Sequence, residues 1–433
     1  MTGGQHPCTL PDKLCEHCVR ELLAKSGTGS RVHGVQLGEK ITGGRGTGVT
    51  AVVVLVDRKL PPDRLRPEEV IPRRIGGMPT DVQEKPVPRA LWLWRRPPRR
   101  HADLSLAAAV EAGSRAMASI RAPVAAAGSD RDAVARHRPV VGGVSIIRAG
   151  VPSAGTLGVP LLIDSHGRRA GLTNWHVAVM FGEEGGFDCA PWWTNRLVVQ
   201  PATLDGGNYW RDQIGWAEAP DGVLFDGRLN HHDAALVRYY DDVEVRPVIL
   251  RIGRYTSVGA VRAGDTVHKY GRTTGHTAGT VLATDAVRLV AYGIRPDGTP
   301  ILATFVTNVA SKFLEPGDSG SAVLMGDRLV GLAFAGSAVE SLFTDIRYTL
   351  ERYGLSLPLR PEEAFGSLIP ASPVVWQYTE GKRWRVWTPG FGNMEHVGRG
   401  TYMIRTKRAA VLRYGRMEVE IPPDTWRTIG WCP

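Results

Sequence analysis

Cysteine is scarce in this chain. Five are spread over 433 residues, at Cys8, Cys15, Cys18, Cys189 and Cys432. That is too few for a disulfide framework and suits a reducing compartment. Cys15-x-x-Cys18 has the spacing of a metal knuckle, with Cys8 as a third thiolate. A structural zinc draws four ligands, usually from two such pairs, and the second pair is missing. No metal and no cofactor are therefore expected; Cys8, Cys15 and Cys18, completed by His6, His17 or His33, are the alternative to free thiols. Long apolar runs are also absent, so no membrane-spanning helix is expected. The first residues lack the charged-then-apolar pattern of a secretory signal, so the expected location is cytoplasmic. Acidic residues are outnumbered, 43 Asp+Glu against 53 Lys+Arg, a net charge of +10. Part of the excess is the run Arg95-Arg96-Pro97-Pro98-Arg99-Arg100. It reads as a solvated linker, because no aromatic-interleaved groove or nucleic-acid module accompanies it, and nucleic acid is not expected as a partner. The turn Gly43 to Gly48 lacks the lysine and spacing of a phosphate loop. What remains is ordinary for a globular protein: 43% hydrophobic and 22% charged residues.

Against that background one stretch stands out, Glu315-Pro316-Gly317-Asp318-Ser319-Gly320-Ser321-Ala322-Val323. A serine hydroxyl is a poor nucleophile at neutral pH and needs a base and an oxyanion donor pair. The flanking glycines let the backbone turn sharply enough for the Gly317 and Ser319 N–H groups to form that pair. Upstream, Thr173-Asn174-Trp175-His176 places a histidine at the end of an apolar strand. His231-His232-Asp233-Ala234-Ala235-Leu236-Val237 places an aspartate at the mouth of another. Asp233 competes with Asp212, Asp241 and Asp242, and is preferred because a carboxylate entering Ala-Ala-Leu-Val can be half buried and still reach an inter-sheet crevice. Ser319 as nucleophile, His176 as general base and Asp233 as its orienting acid would form a triad.

With a third run, Lys269-Tyr270-Gly271-Arg272-Thr273-Thr274-Gly275-His276-Thr277-Ala278-Gly279, the pattern resembles the trypsin/chymotrypsin clan of serine proteases. The clan also runs His, Asp, Ser in chain order. The likeness is to bacterial streptogrisin and α-lytic types, which carry a similar Thr-Thr-Gly run. It extends to intracellular bacterial trypsin-like proteins and the plant narrow-leaf proteases, with similar Gly-Asp-Ser-Gly-Ser and Asp-Ala-Ala-Leu runs. It covers about residues 139–358. The resemblance implies a mainly β fold of two six-stranded antiparallel β-barrels, about 139–245 and 246–358. It also implies a protein or peptide substrate. Val177 and Ala278 stand where secreted relatives have cysteines. In the α-lytic type the arginine of this run neutralises the acid beside the nucleophile, which implies an Asp318–Arg272 ion pair. The alignment further implies a substrate pocket with Phe313 and Leu314 at its base and Phe334, Ala335 and Gly336 as its wall. With no acid at the base, a preference for small or medium apolar side chains follows.

The rest of the chain divides by composition. Residues 1–30 are the cysteine-bearing segment, and 31–90 read as a small α/β domain. Residues 91–138 are a basic linker followed by an alanine-rich helix, with Asp103 as its cap. Residues 359–433 form a small β domain in which Trp376, Tyr378, Trp384, Trp387, Tyr402 and Trp426 alternate with polar residues. Homo-oligomerisation is left open. The alternatives to a peptidase are a protease-like fold used for binding and a nucleic-acid-associated protein using the basic linker.

Overall fold

The computed structural model describes residues 16–24, 31–91, 93–94, 131–149, 151–179, 196–209, 211–294, 299–358 and seven strands between 377 and 430. The architecture is mainly β. Helix α1 (Glu16–Ala24) packs on a hairpin of β1 (Val32–Thr42) and β2 (Arg45–Val56). Leu22, Val32, Val35, Val52, Val54 and Val56 form its core. The β-branched run Val52–Val54 drives this strand, whose second half, Ala51 to Val56, is buried on both faces. Strand β3 (Met78–Glu84) lies parallel to β2. Short strands β4 (Arg89–Ala90) and β5 (Leu93–Trp94) follow. Cys8, Cys15, the arginine-proline run and the alanine-rich segment with its Asp103 cap lie outside the described residues, as does the side chain of Cys18.

The next strands build a nine-stranded sheet. Its members include β6 (Val144–Arg148), β7 (Ser153–Leu157), β8 (Val159–Asp164), β9 (Arg169–Thr173), β10 (Leu197–Val199), β11 (Gln213–Glu218) and β12 (Ala235–Tyr239). Its core holds Ile146, Leu157, Leu161, Val198, Ile214 and Val237. The remaining strands join a thirteen-stranded sheet. These include β13 (Thr266–Gly271), β14 (Gly275–Ile294), β15 (Pro300–Ser311), β16 (Ala322–Met325), β17 (Arg328–Gly336) and β18 (Glu340–Asp345). Within it the pairings run β13–β14–β15–β18–β17–β16 and back to β13.

The expected pair of six-stranded antiparallel β-barrels is therefore corrected: the strands join sheets of nine and thirteen. Strand β14 is 20 residues long, and β1 joins it antiparallel, Gly34 opposite Arg288 and Val35 opposite Val287. An edge of unpaired backbone groups is satisfied by whichever strand reaches it, and here the N-terminal hairpin does so. Residues 32–90 consequently extend the thirteen-stranded sheet instead of standing beside it. Past Ser356 the chain forms a four-stranded and a three-stranded sheet, from Gln377–Glu380 to Arg427–Gly430. The C-terminal aromatic side chains lie outside the described residues. No helix among the described residues is long and apolar enough to cross a membrane.

Candidate active site

Strand β9 ends at Thr173, and one turn of helix, α2 (Trp175–Ala178), carries His176. The imidazole is buried, as is Asp233 just before β12. His176 Nδ1 lies 2.5 Å from Asp233 Oδ2, and the His176 backbone N–H donates to Asp233 Oδ1 at 3.1 Å. Asn174 Nδ2 donates to the Asp233 carbonyl at 2.7 Å. Two loops far apart in the chain are thus clamped by one carboxylate. The sequence reading missed a further donor: Tyr292 of β14 gives its hydroxyl to Asp233 Oδ2 at 2.5 Å. Its ring also stands edge-on to His176, with centroids 5.8 Å apart. Burial holds the Tyr292 phenol well above its ordinary range, and the Asp233 charge adds to this. The phenol therefore stays a donor. No local signal marked it, because an aromatic in a long alternating strand reads as core.

Ser319 follows a tight turn in which Gly317 and Gly320 have φ of 98° and 90°. A Cβ on Gly320 would sit 2.2 Å from the Thr156 carbonyl oxygen and 2.4 Å from Thr173 Oγ1, so the turn needs glycine for space as well as conformation. The turn docks on β7: Thr156 N–H donates to Ser319 O at 2.8 Å, and Thr156 Oγ1 donates to Gly317 O at 2.9 Å. Thr173 Oγ1 in turn donates to Thr156 O at 2.7 Å. Thr156 therefore ties the serine turn to the strand end that delivers His176. The Ser319 hydroxyl lies within hydrogen-bonding reach of Phe334 O, at 3.2 Å, and Leu91 O, at 3.3 Å. A hydrogen bond from Ser319 to His176 is not among its contacts in this state. Of the expected oxyanion donors, the Gly317 N–H points at a carbonyl oxygen, that of Leu91, at 3.1 Å.

The expected Asp318–Arg272 pair does not form. Asp318 is fully buried, and its cation is Lys269, with Nζ 3.1 Å from Oδ2 and neither side chain exposed. The carboxylate also accepts from Thr273 N, Thr274 N, Thr274 Oγ1 and Glu315 N. Burial pulls the Lys269 ammonium below its ordinary range, against the opposing Asp318 charge. Arg272 lies beyond the end of β13, and its backbone N–H is fixed on Thr156 Oγ1 at 3.0 Å. Its guanidinium is held by Asp205, through Nε–Oδ2 at 3.0 Å and a second contact from Nη2.

The pocket expectation needs one correction. Phe313 and Leu314 belong to one buried cluster with Leu91. The Phe334 ring belongs to another, 4.7 Å from Phe305, together with Tyr292 and Ala335. Phe334 thus contributes its carbonyl, and its ring backs the His176–Asp233–Tyr292 group. A Cβ built on Gly336 would meet Glu340 O at 3.0 Å and lie 3.8 Å from Leu91 Cδ1. Of the competing acids, Asp212 is engaged by Arg136 and Arg211, while Asp241 and Asp242 are exposed. His231 stacks on Tyr348, away from Asp233.

No family model matches the chain. Among solved structures it is similar to a glutamic-acid-specific serine protease, with 21% identity over 51% of this chain and 100% of that one, TM-score 0.35. A Nocardiopsis protease shares 20% identity over 50% of this chain and 98% of that one, TM-score 0.35. A Cellulomonas bogoriensis chymotrypsin shares 20% over 51% and 99%, TM-score 0.34.

Proposed function

We propose that this chain is a serine endopeptidase of the trypsin/chymotrypsin clan. One observation carries the reading. A peptide carbonyl, that of Leu91, accepts from the Gly317 N–H beside a buried serine, and Thr156 ties that serine's turn to Thr173, the strand end before the buried histidine–aspartate pair. In the reaction, Ser319 Oγ rotates from Phe334 O towards His176, loses its proton to Nε2 and adds to the carbonyl carbon. The Gly317 and Ser319 N–H groups hold the oxyanion. Asp233 keeps the Nδ1–H tautomer and stabilises the imidazolium, with Tyr292 fixing the carboxylate. Lys269 neutralises Asp318, so the turn is set without a newly liberated amino terminus. The pocket around Phe313, Leu314 and Gly336 takes small or medium apolar side chains.

We place the enzyme in the cytoplasm, acting on protein or peptide substrates without metal or cofactor, with the C-terminal strands as an accessory β domain. A fluorophosphonate probe tests the core of this. It labels the protein but not Ser319→Ala; no labelling of a variant whose cleft is open refutes it. The binding-protein alternative draws on the Ser319 rotamer, and a folded protein that never labels would favour it.

A further inference from the structure

Residues 89–91 lie along the candidate site as a substrate would. Strand β4 pairs antiparallel with β17, Ala90 opposite Ala335 and Arg89 opposite Gly336. It is flanked on its other side by β14, where Ala291 N–H donates to Pro88 O at 3.0 Å. The Leu91 N–H donates to Phe334 O at 3.2 Å, and the Leu91 carbonyl accepts from Gly317 N–H at 3.1 Å. The same carbonyl oxygen is 3.3 Å from Ser319 Oγ. The Leu91 side chain is 6% exposed and shares its cluster with Phe313, Leu314 and Ala333. Beyond the site, β5 pairs with β7 of the other sheet, Leu93 opposite Ala154 and Trp94 opposite Ser153. Strands β4 and β5 thus belong to different sheets, and the Leu91 carbonyl is presented to the serine.

We propose that the peptide bond after Leu91 is a self-cleavage site of this enzyme, and that residues up to Leu91 stay docked afterwards as a bound product. The proposal rests on the peptidase reading above. Ser319 Oγ bonds to the Leu91 carbonyl carbon as its proton passes to His176. The C–N bond to Trp92 then breaks, and the proton moves from His176 to the departing amine, the new amino terminus. Water hydrolyses the Leu91–Ser319 ester, giving the Leu91 carboxylate and free Ser319. Retention follows from contacts remote from the bond. Strand β1 is hydrogen-bonded to β14. Lys85 Nζ lies 3.0 Å from Glu340 Oε2, and Arg288 Nε 3.1 Å from Glu340 Oε1. Arg288 also holds the Gln36 side chain. None of these is broken by cleavage.

The test is intact mass and N-terminal sequencing of the full chain, at once and after incubation at two concentrations. Two fragments are expected, 1–91 and 92–433, with masses summing to the intact chain plus one water. They form at a rate independent of a ten-fold dilution and co-elute in gel filtration. Ser319→Ala stays whole. Leu91→Asp, which puts a charge in the apolar pocket, is cut at least roughly 100-fold more slowly and labels with fluorophosphonate. Leu91→Ala, a milder change, is cut about 10-fold more slowly. An intact wild type alongside a labelled Leu91→Asp would overturn the self-cleavage and leave the peptidase standing. No labelling of either Leu91 variant would remove both. Cutting in Ser319→Ala would assign the break to another protease, and separation of the fragments would overturn the docked product.

Discussion

Exchanging the cation beside the nucleophile gives the sharpest test of this site. Lys269→Met keeps the length of the stem and removes the ammonium 3.1 Å from Asp318 Oδ2, where neither group is exposed. Stranding a buried charge in this way costs about 3–5 kcal/mol. Four donors from Thr273, Thr274 and Glu315 remain on the carboxylate, so the lower end, about 3 kcal/mol, is expected. The assay is a double-mutant cycle with Asp318→Asn, read by denaturant unfolding in the Ser319→Ala background so that no self-cleavage intrudes. Lys269 and Asp318 should show a coupling of about 2–3 kcal/mol. Arg272→Met also destabilises, because it strands Asp205, which among the described residues accepts side-chain bonds otherwise only from Ser145 Oγ. Its effect should add to that of Asp318→Asn within about 0.5 kcal/mol. A larger coupling of Asp318 to Arg272 than to Lys269 would refute the assignment of charges.

Tyr292→Phe removes only the hydroxyl on Asp233; the loss of a hydrogen bond to a buried charge is expected to cost about 1.5–3 kcal/mol of stability, measured by chemical denaturation, and to slow fluorophosphonate labelling. Gly320→Ala forces a Cβ against Thr156 O and Thr173 Oγ1 at positive φ, and should abolish labelling even where circular dichroism shows a folded protein. For Glu340, burial pushes the carboxyl up, but the charges of Arg288 and Lys85 outweigh it, and the net shift is below the ordinary 4.5. A depressed carboxylate gives stability that is present above 4.5 and is lost as pH falls through the lower folded value. Melting temperature should therefore drop more steeply below about pH 4.5 in the protein than in Glu340→Gln, and equal slopes would remove this role.

The three chemical motifs were legible because each is local: a serine between glycines, a histidine closing an apolar strand, an aspartate opening another. The structure brings His176 and Asp233 together and sets Ser319 against a peptide carbonyl. What escaped the sequence depends on register. Lys269 and Arg272 are three residues apart at one hairpin, and only the pairing of β13 with β14 and β16 shows which of them reaches Asp318. The resemblance points to Arg272, whereas Asp205, its partner in the structure, lies in an unremarkable turn in the sequence. Tyr292 and Leu91 carry no local signature, and Leu91 looked like the first residue of a linker. The hairpin at 32–56 was legible as strands from its β-branched run, but its attachment to Val287 and Arg288 is a long-range pairing that periodicity does not encode.

Strand β14 has two obligations on one rigid rail. Arg288 reaches Gln36 and Glu340 near the N-terminal hairpin, and Tyr292, four residues on, reaches Asp233. Because neighbouring strand positions face opposite ways, deleting one residue between them leaves at most one in place. Length along this stretch is therefore under joint constraint. A shortened rail would sever either the hairpin's mooring or the carboxylate's support, whatever amino acids filled the gap.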